Sequence, residues 1–96
     1  MRTIKYTNRF KRDYKREKSG KSSARGKKLD DELMELVRLL AADSVLPASK
    51  RDHALEGEWK DHRDCHLRPD LVLIYRKPDE DNLELVRLGS HSTLGL

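Results

Sequence analysis

The residues best suited to chemistry are His53, His66, Asp70, Arg87 and His91. Three of the four histidines lie between His53 and His66, and the fourth is His91. Near pH 7 a neutral imidazole takes a proton and an imidazolium gives one, so two histidines can act as base and acid in a single displacement. Arg87 can stabilise charge building on a phosphoryl group through planar bidentate contacts. Asp70 can orient a histidine or share in proton removal. These are the parts for RNA cleavage without a metal: a 2′-hydroxyl is deprotonated, attacks the adjacent phosphate in line, and the 5′-oxygen leaves with a donated proton. The products would be a 2′,3′-cyclic phosphate and a 5′-hydroxyl. Taken singly, each residue is ordinary, because a surface histidine is usually only surface.

The elements that must position this set can be read from periodicity. Thr3 to Tyr6 reads as a short strand, and Thr7 or Asn8 as the cap of a helix to about Lys18, with Phe10 and Tyr14 on one face. Ser19 to Gly26 has no apolar anchor and reads as a mobile connection. A second helix spans about Lys27 to Ala42, where Leu29, Leu33, Leu36, Val37 and Leu40 form one broad apolar face. Asp43 to Lys50, with Pro47, ends it. From Asp52 the period becomes two. His62, Asp64, His66 and Arg68 alternate with Arg63, Cys65 and Leu67, so His66 is expected to point away from the core. Pro69 and Asp70 make a turn, and Leu71 to Arg76 is apolar enough for a central strand covered on both faces. Lys77 to Asn82 is a second hairpin loop before a strand at Leu83 to Leu88, and Ser90 to Leu96 is a tail or single helical turn. The expected fold is α+β over one domain, residues 1–96: two amino-terminal helices on one side of a small, mostly antiparallel sheet in the order βααβββ(β). The opposite sheet face, carrying His66, is expected to stay open for a ligand.

Composition narrows the partners. The chain of 96 residues carries a net charge of +4, and 40% of it is charged. Residues 1–28 hold 12 Lys or Arg against Asp13 and Glu17, whereas residues 29–96 hold 9 against 15 acids. Such a basic third suits nucleic-acid phosphates, whose condensed counterions are released on neutralisation. Lys11, Arg12, Lys15, Arg16 and Arg68 are the candidate contacts to RNA or the ribosome. The single Cys65 fits a reducing compartment, and no apolar run resembles a membrane span or a signal peptide, so a cytoplasmic protein is expected. A zinc site from His53, His62, Cys65 or His66 lacks paired ligand spacing. Trp59, Tyr75 and Cys65 read first as core residues.

Three blocks carry a resemblance: H-x-L-x-G-x-W from His53 to Trp59, R-D-x-H-x-x-P-D from Arg63 to Asp70, and R-x-G-S-H from Arg87 to His91. In that order they closely resemble the YafQ branch of the RelE-like bacterial toxins, whose RelE-type ribonuclease fold matches the expected element order. The resemblance implies a ribosome-dependent mRNA endonuclease that cuts codons in the A site, needs no metal or other cofactor, and is held inactive by a DinJ- or RelB-like antitoxin in a hetero-oligomer. It makes His91 the general acid, Arg87 the phosphate stabiliser, and one of His53, His66 and Asp70 the base. Two departures stand out: Leu71 follows the aspartate where the family often has Trp, and Leu94, Gly95 and Leu96 include no carboxy-terminal aromatic. Those losses bear on base stacking. The alternative is the same fold used without catalysis, as an RNA- or ribosome-binding module or an antitoxin-bound co-repressor.

Overall fold

The computed structural model describes the backbone of residues 1–19 and 23–96. In chain order it contains β1 (Thr3–Tyr6), α1 (Asn8–Lys18), α2 (Ser23–Ala41), a 3-10 turn (Ala48–Lys50), β2 (His53–Ala54), a second 3-10 turn (Gly57–Trp59), β3 (Arg63–Arg68), β4 (Leu71–Arg76), β5 (Asn82–Gly89) and α3 (His91–Leu94). The five strands lie in the order β1-β5-β4-β3-β2. Among the described residues, β1 runs parallel to its neighbour, β5, and the other pairs are antiparallel. The architecture is therefore α+β, as expected, with β4 at the centre.

Local chemistry explains where α1 begins. The Thr7 hydroxyl accepts the Phe10 N–H at 3.0 Å and donates to the Val86 carbonyl at 2.8 Å, so one side chain both caps the helix and pins its start to β5. Leu29, Leu33, Leu36, Val37 and Leu40 of α2 are all buried and meet Phe10 and the inward residues of β3, β4 and β5 in the main core. Each fully buried Leu or Val contributes about 1.5–3 kcal/mol relative to exposure, so this face dominates helix docking.

Three expectations are corrected. The second helix begins at Ser23, not Lys27, so Ser23–Gly26 belong to it; the remainder of the expected connection, residues 20–22, lies outside the described residues. An apolar anchor is not a condition for a first helical turn: Ala24 and Arg25 are good helix formers, and the cost of Gly26, about 1 kcal/mol against Ala, is small beside the docking of the rest of α2. The second correction concerns the sheet face expected to be open. Val72, Ile74, Val86 and Leu94 are buried there as a second core, with Leu55 and Trp59 packed against it. Because β4 reads LVLIY, it is apolar on both faces and requires cover on both. The third follows from the second: His66 is only 8% exposed. Cys65 and Tyr75 are core residues as expected, and Trp59 packs on the second core with its ring edge-on to His62. Among the described residues, no helix is long and apolar enough to cross a membrane.

Candidate active site

The second sheet face is organised by cross-strand rows. His53 lies opposite Asp64, Asp64 opposite Ile74, and Ile74 opposite Arg87. The adjacent row runs from His66 through Val72 to Gly89. Two residues beyond Gly89, the chain turns into α3, capped by Ser90, whose hydroxyl oxygen accepts the Thr93 N–H at 3.2 Å. That cap swings His91 back over the second row. Its ring lies 5.0 Å from the His66 ring, tilted by 58°.

Asp70, in the β3–β4 turn, holds His91 from the other side. Its Oδ1 is 3.0 Å from His91 Nδ1 and 3.4 Å from the His91 backbone N–H. These hydrogen bonds, first that of the side chain and then that of the backbone, keep the Asp70 carboxyl below the ordinary carboxylate range. An ionised carboxylate only accepts, so the His91 proton on this side sits on Nδ1 and Nε2 is turned away from Asp70. His53 is fixed similarly: Nδ1 is 2.8 Å from the Arg51 carbonyl, which also only accepts. Its Nε2 is thereby left as the proton-accepting nitrogen of the neutral ring.

Asp64 is a site residue that sequence reasoning missed. Its side chain is 3% exposed, and His53 Nδ1 approaches its Oδ1 at 2.9 Å. The ring proton is aimed at Arg51, so among the described residues Oδ1 has no hydrogen-bond partner. Burial pushes the Asp64 carboxyl up, opposed by the nearby charges of His53, His66 and His91 when those rings are protonated. One buried carboxylate thus lies among three histidines. Its signal was present in the sequence, since Asp64 shares the period-two face of His66.

Arg87 stands apart from this cluster. Its Nε donates to Asp13 Oδ2 at 2.6 Å and its Nη2 to Asp13 Oδ1 at 3.1 Å. Asp13 also accepts the Leu88 N–H at 3.0 Å and Arg16 Nη1 at 3.1 Å. Burial alone would raise the Asp13 carboxyl; the Arg87 and Leu88 hydrogen bonds and the charges of Arg87 and Arg16 more than offset it, and its pKa is lowered. Asp13 was missed as well, although its position three residues after Phe10 puts it on the inward stripe of α1.

The surface cations divide into two groups. Lys11, Arg12 and Lys15 are exposed along α1. Arg16 is tied inward, with Nη2 donating to the Leu88 carbonyl at 3.1 Å in addition to its Asp13 contact. Arg68 pairs with Glu32 through Nε at 2.8 Å and Nη2 at 3.3 Å. Among the described residues no three His, Cys, Asp or Glu side chains converge as a metal site, and Cys65 lies in the main core with its thiol pKa raised by burial. Leu71 is 6% exposed in that same core, so it does not occupy a stacking position.

Comparison with known proteins adds an independent line. Residues 2–95 match the family described as "Bacterial toxin of type II toxin-antitoxin system, YafQ". The mRNA interferase toxin YafQ of Escherichia coli K12 is 36% identical over 95 residues, covering 98% of this chain and 96% of that protein. The toxin in the crystal structure of the E. coli DinJ–YafQ complex superposes with a TM-score of 0.77 at 35% identity, covering 98% of both chains. A metal-bound toxin from Helicobacter pylori superposes with a TM-score of 0.80 at 42% identity, covering 98% of this chain and 99% of that one.

Proposed function

The chain belongs to the YafQ family of type II toxin-antitoxin toxins, and on that premise we propose how its site works. It is an mRNA interferase toxin, an endoribonuclease that inhibits translation by cutting mRNA in the ribosomal A site, and its partner is a cognate antitoxin. The whole of residues 1–96 serves as one toxin domain acting in the cytoplasm. The reaction is transfer of the phosphate from the 5′-oxygen to the neighbouring 2′-oxygen. A base among His53, His66 and Asp70 removes the 2′-hydroxyl proton, the resulting alkoxide attacks phosphorus, and protonated His91 gives its proton to the departing 5′-oxygen. Arg87 stabilises the phosphate through Nη1, since Nε and Nη2 are engaged by Asp13.

The observation that carries this reading is the 5.0 Å approach of the His66 and His91 rings, with Asp70 on His91 Nδ1 at 3.0 Å. Two imidazoles at that separation can address the two oxygens of one phosphate, and side chains alone supply the proton traffic, with no metal in the scheme. The test is growth arrest on expression without antitoxin. His91→Ala and His66→Ala should each relieve arrest while the protein still folds; arrest at full strength in both would overturn the assignment. Full cleavage after exhaustive chelation is the matching expectation for metal independence.

A second reading is favoured by one observation, the commitment of Arg87 to Asp13. With Nε and Nη2 held by Asp13 and only Nη1 left for a phosphate, the fold could serve as a ribosome-binding module or antitoxin-bound co-repressor without cleavage. It requires salt-sensitive ribosome binding by the wild type and no mRNA cuts.

A further inference from the structure

Beside His66 the surface opens into a cavity of about 460 Å³ lined by Ser49, Lys50, Arg51, His66, Arg68 and Pro69. Its size falls within the roughly 300–1,000 Å³ typical of ligand sites, and its lining contains three cations and no carboxylate. The Arg68 guanidinium is occupied with Glu32, so Lys50 and Arg51 supply the charge that a ligand would meet. Lys50 Nζ is anchored to the Leu67 carbonyl at 3.4 Å, which retains two of its protons for another acceptor.

The backbone of this wall is unusual. Arg51 has φ 48° and ψ 44°, the left-handed region that a branched or long side chain rarely adopts. The same residue turns its carbonyl onto His53 Nδ1 at 2.8 Å. One left-handed residue therefore fixes a site histidine through its carbonyl and contributes its side chain to the cavity wall. Strain of this kind recurs where a binding site is held in place by its surroundings.

We propose that this cavity is a nucleotide subsite, in which Lys50 and Arg51 bind the phosphate of the mRNA residue next to the scissile one while His66 and His91 act on the scissile phosphate. The inference rests on the ribonuclease reading and deepens it. His66 is shared between the two: it lines the cavity, and its ring lies 5.0 Å from that of His91, which with Asp70 is not among the cavity's lining residues. An RNA strand that runs from His91 past His66 would enter the cavity with its neighbouring nucleotide. Lys50 and Arg51 therefore set how the strand is held, and they take no part in proton transfer.

The experiment uses the intact toxin and ribosomes of two kinds: one with an A-site codon made uncleavable by 2′-deoxy nucleotides, the other with mRNA that ends at the P-site codon. Lys50→Gln and Arg51→Gln together should weaken binding to the first by about tenfold and leave binding to the second unchanged, with the salt slope falling by about 0.7 per cation removed. On cleavable mRNA, KM should rise, and the thermal midpoint should stay, since Arg51 is exposed and Lys50 half-buried. Equal weakening on both ribosomes would assign the cations to the ribosome and overturn the subsite. Unchanged binding and KM on A-site mRNA would overturn it too. Absence of cleavage by the wild type would defeat the ribonuclease reading alone, because the two binding arms still decide the subsite.

Discussion

Arg87 and Asp13 form a two-pronged ion pair between β5 and α1, with Nε to Oδ2 at 2.6 Å and Nη2 to Oδ1 at 3.1 Å. The side chains are 15% and 4% exposed. The residue proposed to stabilise the phosphate is thus also a buried fastening between the first helix and the strand that leads to His91. Removing Asp13 leaves Arg87 charged without its partner, at a cost of about 3–5 kcal/mol, whereas removing Arg87 leaves Asp13 still held by Arg16 and the Leu88 N–H.

Asp13→Ala should lower unfolding free energy by about 3–5 kcal/mol, Arg87→Ala should cost less because Arg16 and the Leu88 N–H still hold Asp13, and the double variant should lose less than the sum. Urea denaturation of the four proteins measures this. Because the Asp13 carboxyl is depressed in the folded state, its contribution is present above the ordinary carboxylate range and is lost as pH falls through the lowered value. Additive losses, or a pair that strengthens on acidification, would contradict the finding. A loss of toxicity in Arg87→Ala therefore reports catalysis only after the folded fraction has been matched.

Asp64 has the opposite sign. Its folded carboxyl is raised, so its contribution is favourable below the ordinary range and is lost as pH rises through the folded value; at neutral pH the buried charge is a cost. Asp64→Asn should therefore gain about 1 kcal/mol of stability near pH 7, with the gain shrinking as pH is lowered. Cleavage should fall in the same variant, because the charge among His53, His66 and His91 is gone. Thermal melts across pH, paired with cleavage rates, would expose the error if stability falls at neutral pH or activity is unchanged.

Leu71 sits where the family often has tryptophan, and it is buried with Cys65, Leu67 and Leu73. Leu71→Trp should overpack that core and lower stability by about 1–3 kcal/mol, with no gain in cleavage. A faster, equally stable variant would show that the position can turn outward to stack on a base.

The exposed cations of α1 suit an acidic or amphipathic antitoxin segment. Lys11→Glu with Lys15→Glu should weaken antitoxin binding and flatten its salt dependence, as measured by titration at several ionic strengths. Arg16 belongs outside this test, since its guanidinium is bound to Asp13 and the Leu88 carbonyl. Antitoxin affinity indifferent to the reversal would place the interface elsewhere.

Much of this was legible from periodicity. The heptad-like spacing from Leu29 to Leu40 specified α2, and the shift to period two at β3 put Asp64 and His66 on one face. The all-apolar run of β4 already demanded cover on both faces, yet the cover comes from Leu55, Trp59 and Leu94, three residues scattered over segments with no periodic signal. Arg87's engagement was hidden for a related reason: Asp13 is 74 residues away in sequence, and no local pattern announces a pairing over that distance. The turn chemistry of Pro69 and Asp70 was readable, but the swing of His91 onto Asp70 depends on the Ser90 cap and the approach of α3 to the sheet.

The central claim is phosphate transfer to a 2′-oxygen by side-chain acid and base, and the ends of the cut mRNA test it most directly. In a defined translation reaction the wild-type toxin should leave a 2′,3′-cyclic phosphate and a 5′-hydroxyl within the A-site codon, and a 2′-deoxy nucleotide on the 5′ side of the cut should abolish cleavage there. Cuts that persist through that nucleotide, or ends bearing a 3′-hydroxyl and a 5′-phosphate, would contradict it.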